Sequence, residues 1–126
     1  MTLLAGFKVV QIGGGVGAAV CGRLLADVGA QVTCVDADTG TTLLAYLNRG
    51  KGAATGDDLA TAHLIVREGS DAELRRVNAA STIVTISPYG ETGPQANDPA
   101  TDLTLFFASG IARQLTGQVD DLAEAP

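Results

Sequence analysis

The chain has 126 residues, a length suited to one domain with one core. Eight Lys and Arg residues face fourteen Asp and Glu, for a net charge of −6, and only Arg75 and Arg76 stand side by side. That distribution excludes the basic stripe of a nucleic-acid-binding surface, although a few backbone amides and one lysine suffice to hold a phosphate locally.

Aromatic residues make up 4% of the chain, so its core must be built from Ala, Val, Leu and Ile. Cys21 and Cys34 form no C-x-x-C pair, and they read as small apolar residues in a reducing compartment. His63 is the single histidine, so no metal site is expected. The N-terminus lacks the charged flank and apolar run of a signal peptide, and no stretch is long enough to span a bilayer. A cytoplasmic location without membrane association is the expectation.

Leu3 to Phe7 leads into a short apolar run, Val9 to Ile12, which reads as a buried strand. Gly13, Gly14, Gly15 and Gly17 follow at once. In the next segment Val20, Cys21, Leu24, Leu25 and Val28 share one face at helical spacing, and Gly29 supplies a C-terminal stop. Val32 to Val35 reads as a second strand ending at Asp36. A crossover of this kind makes the two strands parallel.

Ala37 to Gly40 is a turn, Thr41 to Leu47 a short helix, and Asn48 to Gly52 a closing turn. Gly52 to Gly56 reads as a loop or weak strand, and Asp57 and Asp58 as the cap of a short helix through Ala62. Leu64 to Val66 is a short strand. Ser70 and Glu73 have capping-box spacing and open a helix to about Asn78. Thr82 to Ile86 is β-branched almost throughout and reads as a strand. A polar loop with three prolines and two glycines runs from Ser87 to Ala100, and Asp102 opens an apolar helix to about Leu115.

Strands alternating with helices predict an α/β fold: a Rossmann-like parallel sheet with helices on both faces, spanning residues 1–116. Residues 117–126 form an acidic tail that reads as a linker. The last helix is followed by no strand, which suggests a piece of a larger protein or a subunit completed by a partner.

The glycine turn is the first candidate site. Glycine allows a sharp turn and a close ligand approach, and the N-terminus of the next helix offers free N–H groups to an anion. Gly13, Gly15 and Ala18 satisfy G-x-G-x-x-A, and Asp36 lies near the position that meets ribose in dinucleotide folds. A tight strand-to-helix turn without a ligand satisfies the same pattern.

Lys51 lacks the spacing of a P-loop, and there is no G-x-S-x-G nucleophile elbow. Arg49 and Lys51 are either a solvated turn or contacts for ligand phosphates. Asp102 is either a residue held in a cleft or, like Thr101, a helix N-cap. Tyr89 either lines a pocket or packs its loop.

Several stretches in order resemble one family. They are LAGFKVVQIG, CGRLLADVGAQVTCVD, LNRGK, TIVTISPYGETGP and PATDLTLFFASGIARQLTG. Together they resemble the N-terminal part of the large domain of class III CoA-transferases, the group that includes formyl-CoA and carnitine CoA-transferases and alpha-methylacyl-CoA racemase. The resemblance implies a Rossmann-like domain whose glycine turn and LN-x-x-K loop lie along coenzyme A. By position, Val16 and Gly17 match the first turn, and Leu47, Asn48 and Lys51 the second loop. Glu68 and Gly69 fall where the family often carries an Asn-Phe pair beside the cofactor.

The resemblance also implies an acyl-CoA and a carboxylic acid as substrates, and two chains interlocked as a homodimer. The family aspartate that carries the acyl intermediates falls beyond Pro126. Asp102 matches an acidic position of the active-site region and would play a supporting part. Thr101 stands where the racemase has a catalytic histidine, which disfavours racemisation. The expectation is therefore the CoA-binding part of a class III CoA-transferase, inactive alone. An NAD(P)-binding domain of an oxidoreductase and a non-catalytic partner-binding module are the alternatives.

Overall fold

A computed structural model describes residues 2–35, 40–69 and 80–116. The chain divides into two compact units, residues 1–87 and 88–126. The first unit holds strands β1 (Lys8–Ile12), β2 (Gln31–Val35), β3 (Gly52–Ala53), β4 (Leu64–Glu68) and β5 (Thr82–Ile86). Its helices are α1 (Val16–Asp27), α2 (Thr42–Leu47) and α3 (Gly56–Thr61). The strands form one five-stranded sheet in the order β3-β2-β1-β4-β5. All four pairings are parallel, with Val10 opposite Thr33 on one side and Ile65 on the other. This is the Rossmann-like α/β architecture that the alternation of elements predicts.

Alternation along β1 sends successive side chains to opposite faces. Val9 packs with Ala18, Val32 and Val66 under α1, whereas Val10 packs with Ala62 and Ile65, flanked by Leu59 of α3. Val9, Val10, Ile65 and Val66 are almost fully buried. Burial of such a side chain is worth about 1.5–3 kcal/mol, so these two central strands anchor the unit. Ala19, Leu44 and Leu47 form a smaller cluster joining α1 to α2.

Helix α1 is rotated from its expected orientation. Its buried residues are Ala18, Ala19 and Gly22, with Cys21, Leu25 and Ala26 partly covered, while Val20 and Leu24 are exposed. The buried face is turned by about one residue, ~100° around the axis, because small residues let the helix approach the sheet closely. A Cβ on Gly22 would run into Oε1 of Gln11.

Other elements differ from expectation at their ends. The cap of α3 is Thr55, and Asp58 completes its capping box from the third helical position. Glycine-rich Gly52–Ala53 does pair, with Thr33 and Cys34 of β2. Strand β4 runs to Glu68, two residues further than its apolar core, and β5 covers Thr82–Ile86 as read from the sequence. The helix expected from Ser70 to Asn78 and the acidic tail lie outside the described residues.

His63 has a structural part. Its Nδ1 accepts the Lys8 N–H at 3.0 Å, its own N–H donates to the Lys8 carbonyl at 3.0 Å, and its ring stacks on Phe7. In the second unit, the expected single helix is two: α4 (Asp102–Ala108) and α5 (Ile111–Thr116). Gly110, at φ +78°, ends the first by adopting a left-handed conformation that an apolar side chain would resist. Thr101 caps α4 with a capping box to Thr104, and Asp102 follows in the first turn. No helix among the described residues is long and apolar enough to cross a membrane.

Candidate functional site at the β1 and β4 strand ends

The order β3-β2-β1-β4-β5 has one switch point. The chain grows outward from β1 through β2 to β3, then returns to the other side of β1 for β4 and β5. Connections leave β1 and β4 in opposite directions, so a crevice opens beyond their carboxyl ends, where ligands of such sheets bind. Gly13 to Gly17 follow β1 there, and Glu68 and Gly69 end β4 there.

The turn fits tightly. Gly13 has φ +98°, and a Cβ on it would lie 2.9 Å from the Glu68 carbonyl oxygen. Gly15 occupies the N-cap of α1 and therefore offers no side chain to the exposed N–H groups of the first turn. Glu68 supplies the missing acceptor from 50 residues away. Its Oε2 accepts the Ala18 N–H at 2.8 Å. Ala18 is the third helical residue, the usual target of a capping side chain. A Cβ on Gly15 would run into the Glu68 carboxylate, so glycine is required for the carboxylate to seat.

A second polar cluster lies beneath α1. Lys51 Nζ donates to Gln11 Oε1 at 2.7 Å, to the Ala19 carbonyl at 2.9 Å and to Asn48 Oδ1 at 3.0 Å. Gln11 Nε2 also donates to Asn48 Oδ1, at 3.3 Å. Gln11 and Asn48 are buried. An ammonium has three N–H donors, and this arrangement uses all of them. Burial pulls the Lys51 pKa below the ordinary lysine value, opposed by nearby Cys34 and reinforced by Arg23. Burial also pushes the Cys34 thiol up, partly offset by Lys51.

Arg23 ties the same helix to the α2–β3 connection. It pairs with Asp27 at 3.0 Å, lies over the Tyr46 ring at 5.5 Å and reaches the Arg49 carbonyl at 3.4 Å.

Of the residues singled out in the sequence, Val16, Gly17, Glu68 and Gly69 meet at the switch point. Val16 is exposed in the first turn of α1, and a Cβ on Gly17 would stand 3.1 Å from Ile86 Cγ2. Gly69 donates its N–H to the Ile86 carbonyl at 3.2 Å. Leu47, Asn48 and Lys51 belong to the layer under α1, with Leu47 in the apolar cluster and Asn48 and Lys51 in the polar one. Asp102 is exposed in the first turn of α4, in the second unit. Asp36 lies outside the described residues.

The sequence reading missed Gln11 and Arg67. A glutamine inside the run Val9-Val10-Gln11-Ile12 needs a buried partner, and Lys51 and Asn48 answer it. Arg67 is buried next to Glu68, and its Nε donates to Thr85 Oγ1 at 2.7 Å. Among the described residues, no three His, Cys, Asp or Glu side chains are grouped to hold a metal.

Sheet order and glycine turn together define a Rossmann-like α/β chain. No protein-family profile and no curated protein matches it. Among solved structures it is similar to Rv3272 of Mycobacterium tuberculosis, described as a hypothetical protein. That likeness has a TM-score of 0.70 at 21% identity and covers 100% of this chain and 43% of that one. An alanine variant of Rv3272 gives 0.70 at 22% identity over 98% of this chain and 42% of that one. Its orthorhombic form gives 0.69 at 21% identity, covering 100% of this chain and 42% of that one. The chain thus spans less than half the length of these relatives, and the likeness is one of fold.

Proposed function

We propose that this chain is the CoA-facing, Rossmann-like part of a class III CoA-transferase. Such an enzyme moves CoA from an acyl-CoA to a carboxylic acid through an aspartyl intermediate. The sequence support is the ordered set GRLLAD, LNRGK and SPYGETGP. The observation that carries the reading is the Lys51 cluster. It fastens the LNRGK loop to the underside of the helix that follows the glycine turn, so two family-like segments act as one rigid frame.

In this reading Val16, Gly17, Glu68 and Gly69 face the cofactor at the switch point. Asn48 and Lys51 hold the frame from below, and the Leu47–Lys51 backbone supplies the second loop. The chain contributes binding surface, and the nucleophilic aspartate comes from beyond residue 126. In the full-length enzyme two such chains interlock as a homodimer. A place in the cytoplasm agrees with substrates of this class.

Titration calorimetry with CoA, using NAD as the control, tests the reading. Saturable CoA binding, with the amides of Val16, Gly17 and Gly69 moving in heteronuclear NMR spectra, supports it. NAD binding without CoA binding overturns it in favour of a dinucleotide domain.

A further inference from the structure

The α1 N-terminus stands where Rossmann-like folds receive a phosphate, with backbone N–H groups and the positive end of the helix dipole directed at the switch point. In this chain the place is already taken. The Glu68 carboxylate reaches over from the end of β4 and accepts the Ala18 N–H at 2.8 Å. Three features fit the carboxylate to this position. Alternation along β4 puts Glu68 on the same face as Val66, which packs under α1. Gly15 leaves open the volume that the carboxylate fills. Gly17 is similarly cut back, since a Cβ there would lie 3.4 Å from both Glu68 carboxylate oxygens.

We propose that Glu68 is a specificity-determining residue, an internal anion that closes the glycine turn to phosphoryl groups. The claim goes beyond the CoA reading and holds for any ligand of the turn. An incoming phosphate would have to displace the carboxylate from its N–H partner or sit against it as a like charge. The turn therefore rejects the diphosphate of a dinucleotide at α1, even though Gly13, Gly15 and Ala18 satisfy the G-x-G-x-x-A spacing. It accepts uncharged ligand groups that donate a hydrogen bond to the carboxylate or pass beside it.

The test uses inorganic pyrophosphate as the probe and the amide resonances of Gly17 and Ala18 as the readout. In the wild-type chain these amides are expected to stay in place through millimolar pyrophosphate. In Glu68→Ala they are expected to move saturably, with affinity higher by about tenfold or more. Glu68→Gln keeps an oxygen acceptor for Ala18 and loses the charge. It guards against an unfolded alanine variant, and it too is expected to bind pyrophosphate more tightly than wild type. Pyrophosphate binding at Ala18 in the wild type as tight as in the variants overturns the proposal, as does a folded variant of either kind with no gain. Failure of CoA binding in calorimetry, with the pyrophosphate gain intact, would strike the CoA-transferase reading alone.

Discussion

Lys51 Nζ and Gln11 Oε1 stand 2.7 Å apart, joining the middle of the first strand to the loop before the third across 40 residues of chain. The pair sits between the sheet and α1, and Ala19 and Asn48 complete the coordination of the ammonium. Removing one member of a buried polar network leaves the others without partners, which costs more than the bonds themselves. Lys51→Met is therefore expected to lower stability by about 1–3 kcal/mol, since buried Gln11 Oε1 loses its donor and Asn48 Oδ1 keeps only the longer bond from Gln11 Nε2. Lys51→Arg is not expected to rescue it, because a planar guanidinium cannot replace three converging N–H groups on one nitrogen. Urea denaturation followed by circular dichroism measures both, and a methionine variant within experimental error of wild type would show that the cluster does not hold the loop.

The same cluster gives stability a pH dependence with two opposing parts. Burial keeps the Cys34 thiol protonated to higher pH than an unfolded thiol, which titrates near about 8.5. Above that value unfolding releases a proton, so the Cys34 contribution is fully present below it and falls as pH rises toward the folded value. Lys51 acts the other way. Its pKa is lowered by burial, so unfolding takes up a proton below about 10.4, and its contribution improves as pH rises through that window. Cys34→Ala removes the falling part, and it also removes the Cys34 charge that opposes the Lys51 shift, which acts in the same direction. Its urea midpoint is expected to hold or rise between about pH 8 and 10 relative to the wild-type midpoint over the same interval. Parallel midpoints for the two proteins would show that Cys34 does not titrate differently on folding.

Much of the fold was legible because it follows from local patterns. The β-branched run Thr82 to Ile86 is a strand over the same residues, and the alternation of strands and helices fixes a parallel sheet with Rossmann-like order. The face of α1 was not legible, because Val20 and Leu24 are more apolar than Gly22 and only the sheet beneath selects the small side. Gly110 was read as an interior residue of an apolar helix and proves to be its break, since composition does not reveal a φ of +78°. At the site, the glycine turn could be read from spacing alone. The Glu68–Ala18 bond could not, because it joins residues 50 apart whose adjacency depends on strand order. Gln11 was the available signal for the Lys51 cluster, as a polar residue at an inward position of an apolar strand.

Two glycine-to-alanine replacements are expected to have opposite signs. Alanine is favoured over glycine in a helix by about 1 kcal/mol, in part because it reduces the freedom of the unfolded chain. Gly56 opens α3, and a Cβ there meets nothing within 4 Å. Gly56→Ala should stabilise by about 0.4–1 kcal/mol. Gly22 lies mid-helix in α1, where the same argument would predict a larger gain. There a Cβ would collide with Gln11 Oε1 and stand 3.0 Å from Lys51 Nζ. Both atoms are tips of flexible side chains, but each is held in the network, and Gln11 is 1% exposed. The replacement must push α1 away from the sheet or break the cluster, so Gly22→Ala is expected to destabilise by about 1–3 kcal/mol despite its better helix propensity. Urea midpoints of the two variants decide the matter. A stabilised Gly22→Ala would mean that the space between α1 and Gln11 is elastic, and that Lys51 does not fix the distance between helix and sheet.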